Sequence, residues 1–314
     1  MGSTVRSLRM MLADGELVTA SRQESPDLFG AAMGGYGLLG IITELEVETV
    51  SNALLEPRFE TMPAGDFPRA FAAAVRAAPM AYGRLNVERE GFFEEALLCA
   101  YVPVEGEAPP AQGSGWLSRA SRPIFRAQAG REWVKDGRWW AETALGPRLA
   151  RPASRNSLLN EPVSTLDDRD PTRTDILHEY FLPPDAFGGF LAAAREIVPQ
   201  SYQELLNVTL RWVERDDASL LAYAAGGPRL AAVMLFSQEM TARAEADMAR
   251  MTRALIDATL GLGGSYYLPY RPHATHEQFR RAYPRWEEFA ALKRRLDPGL
   301  RFRNGFWDNY LAGA

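Results

Sequence analysis

Apolar and polar positions change rhythm several times along the chain. Val5 to Leu12 and Glu16 to Ala20 are short β-prone runs, and Asp14-Gly15 between them suits a hairpin turn. Ser25-Pro26-Asp27 predicts a helix start, with Ser as N-cap, Pro at the first helical position and Asp facing the dipole. Glycines at 34, 35 and 37 end that helix. From Thr43 to Val50 apolar and acidic residues alternate with a period of two, which predicts a half-exposed strand.

Leu54 to Thr61 predicts a strand, Asp66 to Ala78 an Ala-rich helix, and Ala81 to Glu88 and Glu95 to Val102 two further strands. Val104 to Gly115 is a Pro/Gly/Glu-rich loop, followed by helices over 116–128 and 131–149 and an irregular stretch over 150–174. The rhythm then returns: a strand at Asp175 to Leu182, a helix at Pro184 to Ile197, strands at 204–214, 219–224 and 231–236, and a long helix from Glu239 to Leu260. Strand–helix–strand–strand thus occurs in 54–102 and again in 175–224. The chain from His276 is helical and ends in an aromatic-rich tail. This order predicts an α+β fold, a broad antiparallel sheet with helices layered on one face.

Composition narrows the classes of function. The 314 residues are 46% hydrophobic and 24% charged, ordinary for a globular protein of about two domains. The net charge of −5 gives no electrostatic reason to bind phosphate backbones, which argues against a nucleic-acid binder. The single Cys99 excludes an internal disulfide framework and a thiolate metal cluster, and three histidines argue against a classical zinc site. The N-terminus lacks a signal-peptide pattern, and no apolar run approaches the ~18 residues of a membrane span.

Gly35-Tyr36-Gly37-Leu38-Leu39-Gly40 matches G-x-G-x-x-G, but a helix precedes it and a strand follows, the reverse of a dinucleotide-binding turn. What remains is a Gly-rich segment whose backbone can approach a planar or anionic ligand closely; a plain helix-to-strand turn would need fewer glycines. His273 and His276 lack a third ligand or a neighbouring general base in metalloprotease spacing, so no metal is expected; one of them capping or packing near a helix start is the simpler reading. In Leu177-His178-Glu179-Tyr180-Phe181-Leu182, alternation puts His178, Tyr180 and Leu182 on one face and Leu177, Glu179 and Phe181 on the other. The first face either lines a polar pocket or is solvated. Tyr266-Tyr267-Leu268-Pro269-Tyr270-Arg271 offers a rigid phenol-rich surface for a sugar or ring, or simple strand packing. Neither a nucleophile elbow nor a P-loop is present.

Together these segments resemble the FAD-dependent oxidoreductases of the vanillyl-alcohol-oxidase type. Val5-Arg6-Ser7-Leu8-Arg9, Asp14-Gly15, Pro26-Asp27-Leu28-Phe29 and Gly34-Gly35-Tyr36-Gly37-Leu38-Leu39-Gly40-Ile41-Ile42-Thr43 resemble the closing section of that family's FAD-binding domain. Tyr283-Pro284, Phe289, Lys293, Asp297-Pro298, Phe302, Asn304, Phe306 and Tyr310 are similar to its C-terminal return to the flavin domain. Within the family the sugar and aldonolactone oxidase branch, which includes decaprenylphosphoryl-ribose oxidase, is most similar. Relatives usually carry Gln where this chain has His178. Tyr267 fits a family Tyr, whereas Tyr270 stands where the family has Lys, so a Lys-dependent step does not carry over.

The resemblance implies residues 1–52 as an incomplete second part of an FAD-binding domain, 53–274 as a substrate domain and 275–314 as the return. It implies FAD beside Gly34, Gly35, Gly37, Gly40, Ile41 and Asn304, and a pocket with Tyr267 and Tyr270 as hydrogen bonders and His178 as base or substrate contact. Lys293 is expected to be structural. The implied reaction oxidises a hydroxyl of a sugar, polyol or lactone-like substrate. The alternatives are a truncated, non-catalytic fragment and a sugar-binding protein that does not hold FAD by itself. A separate chain carrying the family's N-terminal half, or self-association through Val5 to Leu12 and Ile41 to Val50, is expected to complete the structure. The expected location is cytoplasmic, with peripheral membrane attachment left open.

Overall fold

The computed structural model describes residues 4–111, 125–160 and 170–313. Near the N-terminus, β1 (Val5–Met11), β2 (Leu17–Ser21) and β3 (Ile41–Val47) form an antiparallel sheet in the order β2-β1-β3. The central β1 buries Val5, Leu8 and Met10 on one face, while Arg6 and Arg9 on the other pair with Glu48 and Glu44. Helix α1 (Pro26–Ala32) begins at the expected Pro, but Ser25 is left-handed (φ 50°) and makes no side-chain cap bond. Val5 to Leu12 is therefore paired on both sides, contrary to the expectation of an open edge. β2 and β3 are the edges, and every residue of β3 is exposed.

Among the described residues, the larger sheet has eight antiparallel strands in the order β11-β8-β10-β9-β5-β6-β4-β7. These are β4 (Leu54–Pro63), β5 (Met80–Leu85), β6 (Glu95–Pro103), β7 (Ala153–Ser154), β8 (Arg173–Leu182), β9 (Glu204–Val213), β10 (Arg229–Glu239) and β11 (Ser265–Tyr266). The repeated rhythm is real at this level. β4-α2-β5-β6 and β8-α4-β9-β10 place their strands alike, with α2 at Phe67–Ala77 and α4 at Phe187–Ile197. The two second strands, β5 and β9, meet at the centre through Gly83↔Leu210 and Arg84↔Thr209. A Cβ at Gly83 would lie 2.2 Å from the Phe67 ring, so only glycine lets α2 seat here. The last strand of the second unit is β10: Ser219 to Ala224, expected as a strand, forms turns.

One sheet face carries α2, α4 and the long α5 (Ala242–Gly261), whose N-cap Thr241 accepts from the Ala244 N–H. Phe67, Phe71, Phe187, Phe190, Met248, Met251 and Leu255 pack there against Leu98, Leu210, Met234 and Tyr180. The expectation of helices on one face holds for these three. However, α3 (Glu132–Trp140) packs on the opposite face, where Arg138 reaches Asn207 Oδ1 at 2.7 Å and Trp139 donates to Glu95 at 3.0 Å. It continues through a π turn (Ala141–Leu145) to Leu149. Most of the helix expected over 116–128 lies outside the described residues.

The C-terminal helices α6 (His276–Ala282) and α7 (Trp286–Leu296) lead back to the small sheet. Thr275, and neither neighbouring histidine, caps α6, in a reciprocal capping box with Gln278. Lys293 forms a fully buried ion pair with Asp297, whose carboxylate also accepts the Arg301 and Phe302 N–H groups at 2.9 Å. Arg301 then donates to the Ala13 carbonyl at 2.8 Å, and Asn304 Nδ2 to that of Tyr36 at 2.8 Å.

Candidate active site

β8 divides its side chains between two environments, as its alternation predicts. His178, Tyr180 and Leu182 turn toward the helices. His178 Nδ1 is 3.1 Å from the Tyr180 hydroxyl and Nε2 is 3.2 Å from Thr252 Oγ1 on α5. Thr252 Oγ1 lies 3.3 Å from His273 Nδ1, and His273 Nε2 is 2.7 Å from Glu245. Burial, assisted by the nearby His273, pushes the His178 imidazole down to about 3. His178 is thus a neutral, hydrogen-bonded interior group on the helix side of the sheet.

The other face carries Leu177, Glu179 and Phe181. The segment after α5 folds back along this strand because Gly264 has no side chain: a Cβ there would lie 2.5 Å from the Phe181 carbonyl. Tyr267 N–H then donates to the Glu179 carbonyl at 3.0 Å, and the Tyr270 hydroxyl donates to Glu179 Oε1 at 2.7 Å. Phe181 stacks on Tyr223 at 4.2 Å, while Tyr223 and Tyr270 meet Tyr267 edge-on at 5.7 and 5.2 Å. Burial raises the pKa of Tyr36, Tyr223, Tyr267 and Tyr270, and at Tyr267 and Tyr270 the Glu179 carboxylate raises it further. These phenols stay protonated and act as donors. Arg211, on the same face in register with Phe181 through Ala231, opposes that shift at Tyr267 and Tyr270.

The glycine-rich segment faces this cluster, and each of its four glycines has a requirement inside the chain itself. Gly34 and Gly37 adopt left-handed φ of 79° and 72°. A Cβ at Gly35 would lie 2.5 Å from the Ala31 carbonyl, and one at Gly40 would lie 2.4 Å from that of Met11. Tyr36 between them is itself left-handed (φ 53°), held by Asn304 through its carbonyl. Ile41, at the start of β3, is half exposed.

Two cavities flank Tyr36. One of about 350 Å³ is lined by Gly34, Ile42, Leu45, Asp216, Tyr223 and Tyr267 among others. The second, of about 390 Å³, is lined by Tyr36, Leu268, Tyr270, Asn304, Phe306 and Tyr310 with neighbouring residues. Aromatic faces and neutral phenols suit a flat heteroaromatic ring. Among the described residues neither lining contains Lys or Arg, so these residues offer a diphosphate no cation.

The structure therefore gathers Tyr267, Tyr270, Gly34 and Asn304 around the Tyr36 loop, while His178 shares with Glu179, Tyr267 and Tyr270 only a small cavity of about 20 Å³. Sequence reasoning missed Glu179, Tyr36 and Tyr223 as site residues. For Glu179 the signal was present in its alternation against His178. Among the described residues, no group of three or more His, Cys, Asp or Glu is arranged to hold a metal, and no helix is long and apolar enough to cross a membrane.

No family model matches the chain. Over 125 residues (39% of the chain) it is 35% identical to an FAD-dependent monooxygenase of Arthrobotrys oligospora, covering 24% of that protein. Over 49 residues (16% of the chain) it is 43% identical to a Neurospora crassa protein assigned as a D-arabinono-1,4-lactone oxidase, covering 9% of it. Among solved structures, 6-hydroxy-D-nicotine oxidase from Arthrobacter nicotinovorans superposes with a TM-score of 0.50 at 15% identity. That match covers 96% of this chain and 65% of the oxidase. The chain thus spans under a quarter of the length of these curated relatives and about two thirds of the structural one, with which it shares a fold.

Proposed function

We propose that this chain forms the substrate side and part of the cofactor side of an FAD-linked oxidoreductase acting on a hydroxyl of a sugar, polyol or aldonolactone-like molecule. The observation that carries this reading is the Tyr270–Glu179 pair, of which Tyr270 lines one of the Tyr36 cavities. The resemblance of 1–52 and 275–314 to flavin-domain segments, with 53–274 as the substrate domain, supports it, as does the FAD-dependent name of the monooxygenase relative. Sugar or lactone substrates rest on the shorter lactone-oxidase match.

FAD, when bound, accepts the two electrons and the hydrogen that leave the substrate carbon. Tyr36, Gly34 and Asn304 would hold its ring. In this reading Glu179 takes the substrate hydroxyl proton. One carboxylate oxygen is fixed by Tyr270, and the other carries no hydrogen bond among the described residues. Tyr267 orients the substrate as a neutral donor, while Tyr270, whose one proton goes to Glu179, meets it as an acceptor. His178 acts as a positioning residue, holding β8 against α5 through Thr252.

The lack of a cation among the described residues of either lining favours a second reading of the isolated chain: it engages the flavin ring weakly and needs a further segment to grip the diphosphate. The test is an FAD titration followed by absorbance and flavin fluorescence, then anaerobic bleaching of the flavin band by a panel of sugars, polyols and aldonolactones. Quenching with bleaching supports the main reading, and quenching that is weak and without bleaching supports the second. An unperturbed FAD spectrum at saturating protein overturns both.

A further inference from the structure

The face of the large sheet that carries Glu179 continues beyond the tyrosine cluster. Register places Arg84, Thr209, Val233 and Glu179 in one row across β5, β9, β10 and β8. At the Arg84 end, α3 does not close down on the sheet and leaves a cavity of about 690 Å³. Phe125, Trp133, Val134, Ala141 and Leu235 supply apolar walls, and Gly137 opens one side of the helix.

Among the described residues, the charges in this lining are Arg84, Arg138 and Glu142 and do not cancel. Arg138 is satisfied, by Glu142 at 2.7 Å, Asn207 Oδ1 at 2.7 Å, Gln128 at 2.8 Å and the Leu206 carbonyl at 2.7 Å. Arg84 donates to Thr209 Oγ1 at 2.9 Å and lies 5.7 Å from the Tyr82 ring, and among the described residues it has no carboxylate partner. The one carboxylate of the described lining, Glu142, is engaged by Arg138. A half-buried guanidinium with no carboxylate among the described residues, beside an apolar hollow, is complementary to one negative charge.

We propose that this cavity binds an amphiphilic monoanion, with its carboxylate-type head at Arg84 and its apolar body between Phe125, Trp133 and Leu235. The site lies three strands from Glu179, about 14 Å by strand spacing, so it is separate from the proposed reaction site. Its test does not depend on FAD.

Gly137 supplies a well-behaved variant. A Cβ there meets nothing within 4 Å, and glycine is a poor helix former, so Gly137→Leu fills the cavity without a backbone clash. Binding of decanoate and of the uncharged decanol would be measured by calorimetry on the full chain, Arg84→Gln and Gly137→Leu, each checked by circular dichroism. The site requires that decanoate bind the wild type, that Arg84→Gln weaken decanoate at least tenfold while leaving decanol unchanged, and that Gly137→Leu weaken both. Absence of decanoate binding, equal affinity in Arg84→Gln, or indifference to Gly137→Leu overturns the proposal.

Discussion

The Tyr270 hydroxyl donates to Glu179 Oε1 at 2.7 Å, joining the segment after β11 to the open face of β8. The phenol stays protonated, so the bond is charge-assisted and fixes one oxygen of the carboxylate. Glu179→Gln keeps an acceptor for Tyr270 but removes the charge. In flavin-loaded protein it is expected to slow substrate oxidation by roughly 10²–10⁴-fold, the range of a lost general base. Tyr270→Phe leaves the carboxylate and is expected to cost less in rate, with about 1 kcal/mol of stability. Single-turnover kinetics of both variants check this; equal rates in wild type and Glu179→Gln would remove Glu179 from the chemistry.

His178 makes the fold sensitive to acid. Its folded pKa of about 3 lies below the unfolded value of about 6.5, so the unfolded chain takes up the proton first as pH falls. The stability from keeping it neutral is complete above pH ~6.5 and is lost progressively toward pH ~3, about 3 kcal/mol of it by pH 4. His178→Gln removes the titration. Urea unfolding across this range should show a flatter pH slope in the variant, and parallel slopes would refute the assignment.

The division of β8 into two faces is legible in its alternation, because the side-chain period of a strand is two. Which face bears the site is not, since alternation names no neighbours. The decision came from α5, which buries His178 through Thr252, and from Gly264, which brings Tyr270 over Glu179. Tyr223 escaped for a related reason. Ser219 to Ala224 looks β-prone but forms turns, and only the stacking of Phe181 on Tyr223 reveals its role. The glycine row announced an unusual backbone, yet whether each position needs a left-handed φ or a close approach depends on where Met11 and Ala31 run. The paired strand–helix–strand–strand blocks were readable because both follow strong local patterns. That α3 would occupy the opposite face was not.

Gly40 and Gly188 make a contrasting pair. Alanine at Gly40 would set its Cβ 2.4 Å from the Met11 carbonyl, forcing β1 and β3 apart. A cost of about 1–3 kcal/mol is expected, as for an overpacked site. Gly188 lies in α4 with open space around a built Cβ, and alanine there should stabilise by about 0.5–1 kcal/mol. Thermal unfolding of the two variants should therefore move in opposite directions, and a neutral Gly40→Ala would contradict the close approach.

Lys293 and Asp297 form a fully buried ion pair that organises the turn after α7. Burial would raise the Asp297 pKa, but Lys293 and the N–H groups of Phe302 and Arg301 hold it below the usual value. Its contribution is therefore complete above pH ~4 and lost as pH falls further. Lys293→Met leaves the carboxylate buried without its cation and is expected to cost about 3–5 kcal/mol. The acid limb of the stability profile should then move to higher pH. A loss below about 1 kcal/mol in urea unfolding would contradict a buried, coupled pair.

β3 exposes Ile41, Ile42, Leu45 and Val47 at 49, 40, 52 and 49% along an unpaired strand edge. Leu45 and Ile42 pair with Leu8 and Met10 of β1, so they extend the apolar face of that strand beyond the part that is covered. An open edge with such a face is a template for association. The chain is expected to self-associate at tens of micromolar in light scattering. Ile42→Lys combined with Leu45→Lys places charge on the edge and on the wall of the adjoining cavity, and should shift the population toward monomer while leaving the far-ultraviolet circular dichroism unchanged. A wild-type chain that remains monomeric at those concentrations would show that the edge is not used between copies.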